Sequence, residues 1–370
     1  MRSVGVVPSR KEVRMIEHPA PTLTLDYQVK LRTLDVGICG TDREICTFVY
    51  GAPPSGSDYL VLGHEALGQV VEVGASVSRF KVGDLVIPSV RRPCPVPECI
   101  PCRQDRQDFC STWKFTERGI NQYHGYMTES FVDLEKYLTL VPPELRDIAV
   151  LVEPLTVAEK GLAQVWKTQQ RLPWGGQSGP NALKGAGMNA VVLGAGPVGI
   201  LGAMALQVNG FKTFVYSRSK KPNYKADLLE SVGVEYLSSE DVTVDELAKC
   251  VGSIDLIYEA VGVPAITFDV LRVLGINGIY VMTGIPAPKA PIPVAASEIM
   301  RNVVLKNQAI VGTVNADGDA FASAIHDLGT FNKRWPKAVR QLITGRFKPE
   351  DYRELLVGKA SGIKNVISFE

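Results

Sequence analysis

A β-branched run that enters a glycine turn and leaves it as a helix has few folds open to it, and residues 191–199 read this way. They are Val191-Val192-Leu193-Gly194-Ala195-Gly196-Pro197-Val198-Gly199, followed by a small, apolar, helix-competent stretch to Leu206, with Gly210 as its stop. In such a turn the first glycine permits the bend, the second admits a pyrophosphate to the backbone, and the third lets helix and strand approach closely. The helix N-terminus then receives the negative charge. Glycine turns of this spacing also occur elsewhere in α/β proteins, but strand and helix here flank it in the right order. Gly194, Ala195, Gly196, Pro197, Val198 and Gly199 are therefore expected to hold a dinucleotide.

The next apolar strand ends at Tyr216 and runs into Ser217-Arg218-Ser219-Lys220-Lys221. A site for NAD would place an acidic residue here for the ribose hydroxyls, and none is present. Arg218 suits a 2′-phosphate, which makes NADP the expected cofactor over NAD, with Ser217 and Ser219 beside it. The alternative is a solvated basic turn.

The β-rich runs at 189–193, 213–216, 255–258 and 278–282 alternate with segments of helical character, the pattern of a doubly wound parallel sheet. Before them, short apolar runs at 29–34, 66–73, 84–88 and 126–132 are punctuated by Gly, Pro and Asp, which predicts a barrel-like antiparallel domain. Residues 171–187, rich in Gly, Pro, Ser and Asn, read as a surface connector. After Asn315 the sequence predicts helices at 320–328 and 336–344, the second stopped by Gly345, and a closing strand at 364–369 that returns to the first domain. At 370 residues the chain suits two domains. The expected division is 1–155 for a β-rich domain, 156–315 for the cofactor domain, and 316–370 for the return.

Lys and Arg total 40 against 39 Asp and Glu, so no bulk field draws the chain to nucleic acid or an anionic membrane, and small-molecule chemistry is favoured. The first 14 residues lack an apolar signal core and no later stretch is long enough to cross a bilayer, so a cytoplasmic location is expected. Four of the seven cysteines crowd into 94–110, which in such a compartment points to metal rather than disulfides.

That cluster, Cys94-x4-Cys99-x2-Cys102-x7-Cys110, offers four soft ligands for a closed, tetrahedral, structural zinc. A second set is dispersed: Cys39 within Gly37-Ile38-Cys39-Gly40-Thr41-Asp42, His64-Glu65 after Gly63, and Glu153 before Pro154. Taken singly these are a buried thiol, a core histidine and ordinary acids. Beside a dinucleotide loop they make a catalytic zinc site whose fourth position stays open for a substrate oxygen. Thr41 is either a proton relay or an ordinary turn threonine, and Glu65 either a direct ligand or a supporting acid.

The run Gly63-His64-Glu65-x2-Gly68-x5-Gly74-x2-Val77, with 37–42, the four-cysteine lobe and 194–199, resembles the zinc-containing medium-chain alcohol dehydrogenase family along the whole chain. The resemblance implies an α/β protein in which a GroES-like β-rich catalytic domain is interrupted by a Rossmann domain. Glu153-Pro154-Leu155, Arg91-Arg92, residues 115–120, His124-Gly125 and 312–315 are similar to the glucose dehydrogenases of that family. What this implies is hydride transfer from C1 of an aldose to NADP, giving a lactone, with Thr41, Glu117, Glu153 and Asn315 on the substrate. It also implies that Thr283, Gly284, Ile285, Thr313, Val314 and Asn315 line the cofactor, and that the chain forms a homodimer or homotetramer through the sheet edge near 279–282. Glu153 in the third ligand slot is shared with polyol and secondary-alcohol dehydrogenases, which are the alternative. Glu117 and Asn315 also read as solvated loop residues. A non-catalytic nucleotide-binding protein of this fold is disfavoured by Cys39, His64 and Glu153 together. The first gap of the lobe has four residues where the family commonly has two, so an altered loop is expected there.

Overall fold

The computed structural model describes residues 1–173, 183–286, 290–359 and 361–370; most of the expected connector, 174–182, lies outside them. The chain divides into two units. The first comprises Met1–Thr156, Asn315–Asn332 and Val339–Glu370, and the second Val157–Val314 with Lys333–Ala338.

In the first unit, Gln28–Gly37 is the organising strand: it pairs antiparallel with Glu65–Val73, Ser130–Leu134 and Lys364–Ser368. Leu85–Pro88 and Leu138–Val141 extend the sheet on one side, and Ile343–Phe347 on the other. Alternating apolar residues such as Leu31, Val70, Val86, Phe131 and Ile367 fall on one face and are almost fully buried. Each such side chain contributes about 1.5–3 kcal/mol of burial. A separate sheet joins Arg2–Val7 to Glu12–Glu17 and Leu60–Val61.

Two expectations here need correction. Helical structure spans Pro336–Gln341 only, and Ile343–Phe347 is a strand in which Gly345 sits at a register shift rather than a helix stop. β-Branched Ile343 and Thr344 gain more from parallel pairing with Lys364–Ser368 than from another helical turn. The strand expected at 126–132 begins at Ser130, because Tyr126 and Met127 are already bonded to Gly63 and Leu62.

The second unit is built on six parallel strands: β1 (Asn189–Leu193), β2 (Lys212–Ser217), β3 (Glu235–Ser238), β4 (Leu256–Glu259), β5 (Ile279–Met282) and β6 (Ala309–Gly312). Their order is β3-β2-β1-β4-β5-β6, so the winding reverses between β1 and β4, where such sheets bind their ligands. β5, near which a subunit edge was expected, has β4 and β6 on its two sides; the edge strand nearest it is β6, with β3 at the opposite edge. Helix α1 (Pro197–Val208) packs against β1 and β2 with its residues from Gly199 to Leu206 all buried. No helix among the described residues is long and apolar enough to cross a membrane.

Candidate active site

The glycine turn behaves as its sequence requires. Gly194 has φ +97°, a left-handed conformation, and its N–H donates to the Tyr216 carbonyl at 2.9 Å. A side chain at Gly199 would place Cβ 2.1 Å from the Gly194 carbonyl oxygen, so only glycine lets α1 approach β1 this closely. At Gly196, the residue capping α1, an added Cβ would meet nothing within 4 Å. That gap at a helix N-terminus is the cradle a pyrophosphate needs.

At the end of β2 the turn is pinned from β3: Ser238 Oγ donates to the Arg218 carbonyl at 3.0 Å and Tyr236 Oη to the Ser219 carbonyl at 2.7 Å. Arg218 is exposed and makes no ion pair among the described residues, while Lys220 and Lys221 are spent on Asp241 and Glu230. Glu259, buried at the end of β4, accepts from Val261 N, Gly262 N and Gly284 N, and Thr283 Oγ1 donates to its carbonyl. The Glu259 carboxylate thus ties Gly284 to the loop after β4 and its backbone carbonyl holds Thr283, whereas Ile285 is exposed. Thr313 N donates to the Met282 carbonyl, and Lys160 Nζ to the Val314 carbonyl at 2.7 Å.

In the first unit, ligand atoms of Cys39, His64 and Glu65 lie within 4.8 Å of one another. Cys39 caps the short helix Gly40–Ile45, and Asp42 Oδ2 accepts from the Cys39 N–H at 2.9 Å. Asp42 Oδ1 accepts from Gly63 N at 3.2 Å and lies 3.4 Å from His64 Nδ1, so one buried acid sets both the thiol and the imidazole. Burial works against charge on His64, but Asp42 and Cys39 outweigh it and raise its pKa well above the usual imidazole value. Thr41 Oγ1 is 3.7 Å from Cys39 Sγ.

Glu65, on the central sheet, is held by Lys364 from the closing strand. Glu153 sits in the first turn of the helix Val152–Gln169 and is not among the three converging ligands. It is close enough to His64, Glu65, Lys364 and Asp42 for their charges to act on it, and burial pushes its pKa up to about 7. Three acidic groups, Cys39, Glu65 and Glu153, thus act on one lysine, with Asp42 acting on Glu153 and His64, a donor set that suits a divalent cation.

The four cysteines of the lobe also converge within 4.8 Å, buried, with Cys99 Sγ 3.8 Å from Cys110 Sγ. That is about the edge of a tetrahedron whose ligands stand 2.3 Å from a zinc. The longer first gap is absorbed by a turn in which Cys99 N donates to the Val96 carbonyl. Ser111 and the Cys102 backbone hold the Cys99 thiol down to about 5, favouring the thiolate a metal requires.

Glu117, 6 % exposed, accepts at Oε1 from Arg91 Nε at 3.0 Å and from Asn315 Nδ2 at 3.1 Å. Buried and doubly partnered, it is no solvated loop residue. Tyr50, which sequence reasoning passed over, lies within reach of the charges of Glu117, Arg91 and His64. Asp42 could have been found from its capping-box spacing to Cys39, but Lys364 carries no local signal.

A doubly wound sheet with a glycine cradle, paired with a unit that clusters cysteine, histidine and carboxylate ligands, defines the architecture of a medium-chain alcohol dehydrogenase. Residues 26–143 match the alcohol dehydrogenase GroES-like domain, and residues 146–369 match the glucose dehydrogenase C-terminus. The chain belongs to the glucose dehydrogenases of that family. It is 37% identical over 373 residues to glucose 1-dehydrogenase of Thermoproteus tenax, covering 100% of both chains. To the enzyme of the same name from Methanocella arvoryzae it is 34% identical over 368 residues, 99% of each. Among solved structures it is similar to Haloferax mediterranei glucose dehydrogenase in complex with NADP, Zn and gluconolactone, with a TM-score of 0.88 and 30% identity, covering 100% of this chain and 99% of that one.

Proposed function

We propose that this chain is a zinc-dependent, NADP-linked glucose 1-dehydrogenase that oxidises the sugar at C1 to a lactone. The observation that carries the reading is the juxtaposition, in one unit, of the Cys39, His64 and Glu65 cluster, with Glu153 acting on it electrostatically, and the buried, partnered Glu117. The relatives at 34–37% identity over the full chain supply the sugar, and the Haloferax mediterranei structure, which holds NADP and Zn, supports the cofactor and the metal.

Cys39, His64 and Glu153 would hold the catalytic ion, since both oxygens of Glu65 are occupied by Lys364 while Glu153 makes no ion pair among the described residues. Cys94, Cys99, Cys102 and Cys110 would hold the structural one. Zinc supplies Lewis acidity toward a substrate oxygen. Glu117 accepts a hydroxyl of the sugar, orienting C1, and Thr41 beside Cys39 receives the proton of the C1 hydroxyl and passes it toward solvent. NADP would supply the hydride acceptor, and residues 194–199, Arg218 toward the 2′-phosphate, and residues 283–285 and 313–315 would hold it.

We place the domain boundaries at 155/156 and 315/316, each one residue from the corresponding limit between the two compact units, and infer a homo-oligomer through β6. Supporting that edge, the helix Ala296–Leu305 has no buried residue and Met300, Val304, Leu305 and Ile310 are exposed. A cytoplasmic location agrees with the free state of all seven cysteines. Initial rates with aldoses and polyols against both cofactors test the reading: preference for open-chain polyols would move the activity to polyol oxidation.

A further inference from the structure

The four-cysteine lobe and the sugar carboxylate are joined by a chain of contacts. Arg91, itself 6 % exposed, lies with its guanidinium 3.7 Å from the centroid of the Phe115 ring, and Phe115 packs into the cluster of the four cysteines. Its Nη1 donates to the carbonyl of Asp108, a lobe residue between Cys102 and Cys110, at 3.3 Å. On its other side Nε donates to Glu117 Oε1, and Nη2 also stands 3.0 Å from that oxygen. Asn315 Nδ2 donates to the same Oε1. Asn315 Oδ1 is committed to Ala316 N at 2.9 Å. A second lobe cation, Arg106, grips both oxygens of Asp108 and reaches Asp317 Oδ2 at 3.1 Å, tying the segment after Asn315 to the lobe as well.

Arg91 Nε, Arg91 Nη2 and Asn315 Nδ2 all converge on one oxygen of Glu117, leaving Oε2 without a donor among the described residues. We propose that Arg91, braced by the lobe, is a positioning residue that fixes Glu117 so that Oε2 alone is presented to the sugar. Asn315 then serves chiefly to hold Glu117 and has little left for a hydroxyl of its own. The lobe acts as a buttress for sugar binding as well as for the fold. A rigid guanidinium fork suits this task where a lysine would not, because it must meet a ring face, a carbonyl and a carboxylate at once.

The inference rests on Glu117 contacting the sugar, and a double-mutant cycle separates the two. The variants are Arg91→Lys, which keeps the buried charge, Glu117→Gln and the pair, each read for glucose KM, kcat, NADP KM and thermal midpoint. Arg91→Lys should raise glucose KM about tenfold or more while kcat shifts less than about threefold and NADP KM less than about twofold. Glu117→Gln should raise glucose KM as well, and the double variant should be no worse than Glu117→Gln alone. A raised KM in Glu117→Gln with none in Arg91→Lys overturns the positioning role and leaves the function standing. Effects that multiply in the double variant overturn it too, since Arg91 would then act independently. An unchanged KM in Glu117→Gln removes Glu117 from the sugar and the inference with it. Should Arg91→Lys fail to fold, Arg106→Gln serves instead: a rise in glucose KM of about two- to fivefold supports the buttress, and an unchanged KM overturns it.

Discussion

Lys364 Nζ reaches both carboxylate oxygens of Glu65, at 2.7 and 2.6 Å, across 299 residues of sequence and with both side chains almost wholly buried. It also donates to the Ile38 carbonyl, one residue before Cys39. The closing strand therefore supplies the counter-charge for the carboxylate crowd, and Glu65, Cys39 and Glu153 overcome burial to raise the Lys364 pKa.

Removing that ammonium leaves a buried, unpaired carboxylate. Lys364→Met should cost about 3–5 kcal/mol in denaturant unfolding. A loss below about 1 kcal/mol would show that Glu65 finds another partner.

Metal content separates the two clusters. Purified protein should carry two zinc ions per chain by elemental analysis. Cys99→Ser should lose one of them together with folding stability, and Cys39→Ser the other together with turnover but little stability. Equal thermal shifts in the two variants would contradict the division of roles.

Cofactor choice rests on Arg218, exposed and uncommitted at the end of β2. Arg218→Ala should weaken NADP about tenfold or more and leave NAD nearly unchanged, because only NADP brings a phosphate there. Equal loss of both in binding titrations would reduce Arg218 to a turn residue.

His124 stacks on Tyr59 and its Nδ1 accepts from the Val61 N–H, so protonation would break that bond. Burial foremost, then His18 and Arg118, lower its pKa from 6.5 to about 4. The folded state thus prefers the neutral ring: its contribution is whole above 6.5 and is lost as pH falls from there toward 4. His124→Phe should flatten the decline of thermal midpoint over that range, and an unaltered slope would exclude His124 as its source.

What could be read from the sequence follows the range of the interactions. The glycine turn and the cysteine lobe are local patterns whose geometry is set by near neighbours, so Gly194, Gly199 and Cys99 announce themselves. Strands β3 and β6 escaped because each is four residues long and half its positions face outward. Ile343 and Thr344 looked helical because their pairing partner, Lys364–Ser368, lies beyond any local window. Lys364 on Glu65 and Arg91 on Glu117 are contacts between distant segments, and neither residue type nor spacing encodes them.

The central claim is tested most directly by following the hydrogen at C1. Glucose deuterated at C1, incubated with the enzyme and NADP, should give deuterated NADPH and gluconolactone in equal amounts by mass spectrometry. Unlabelled NADPH, or turnover confined to polyols with ketone products, would contradict hydride transfer from C1.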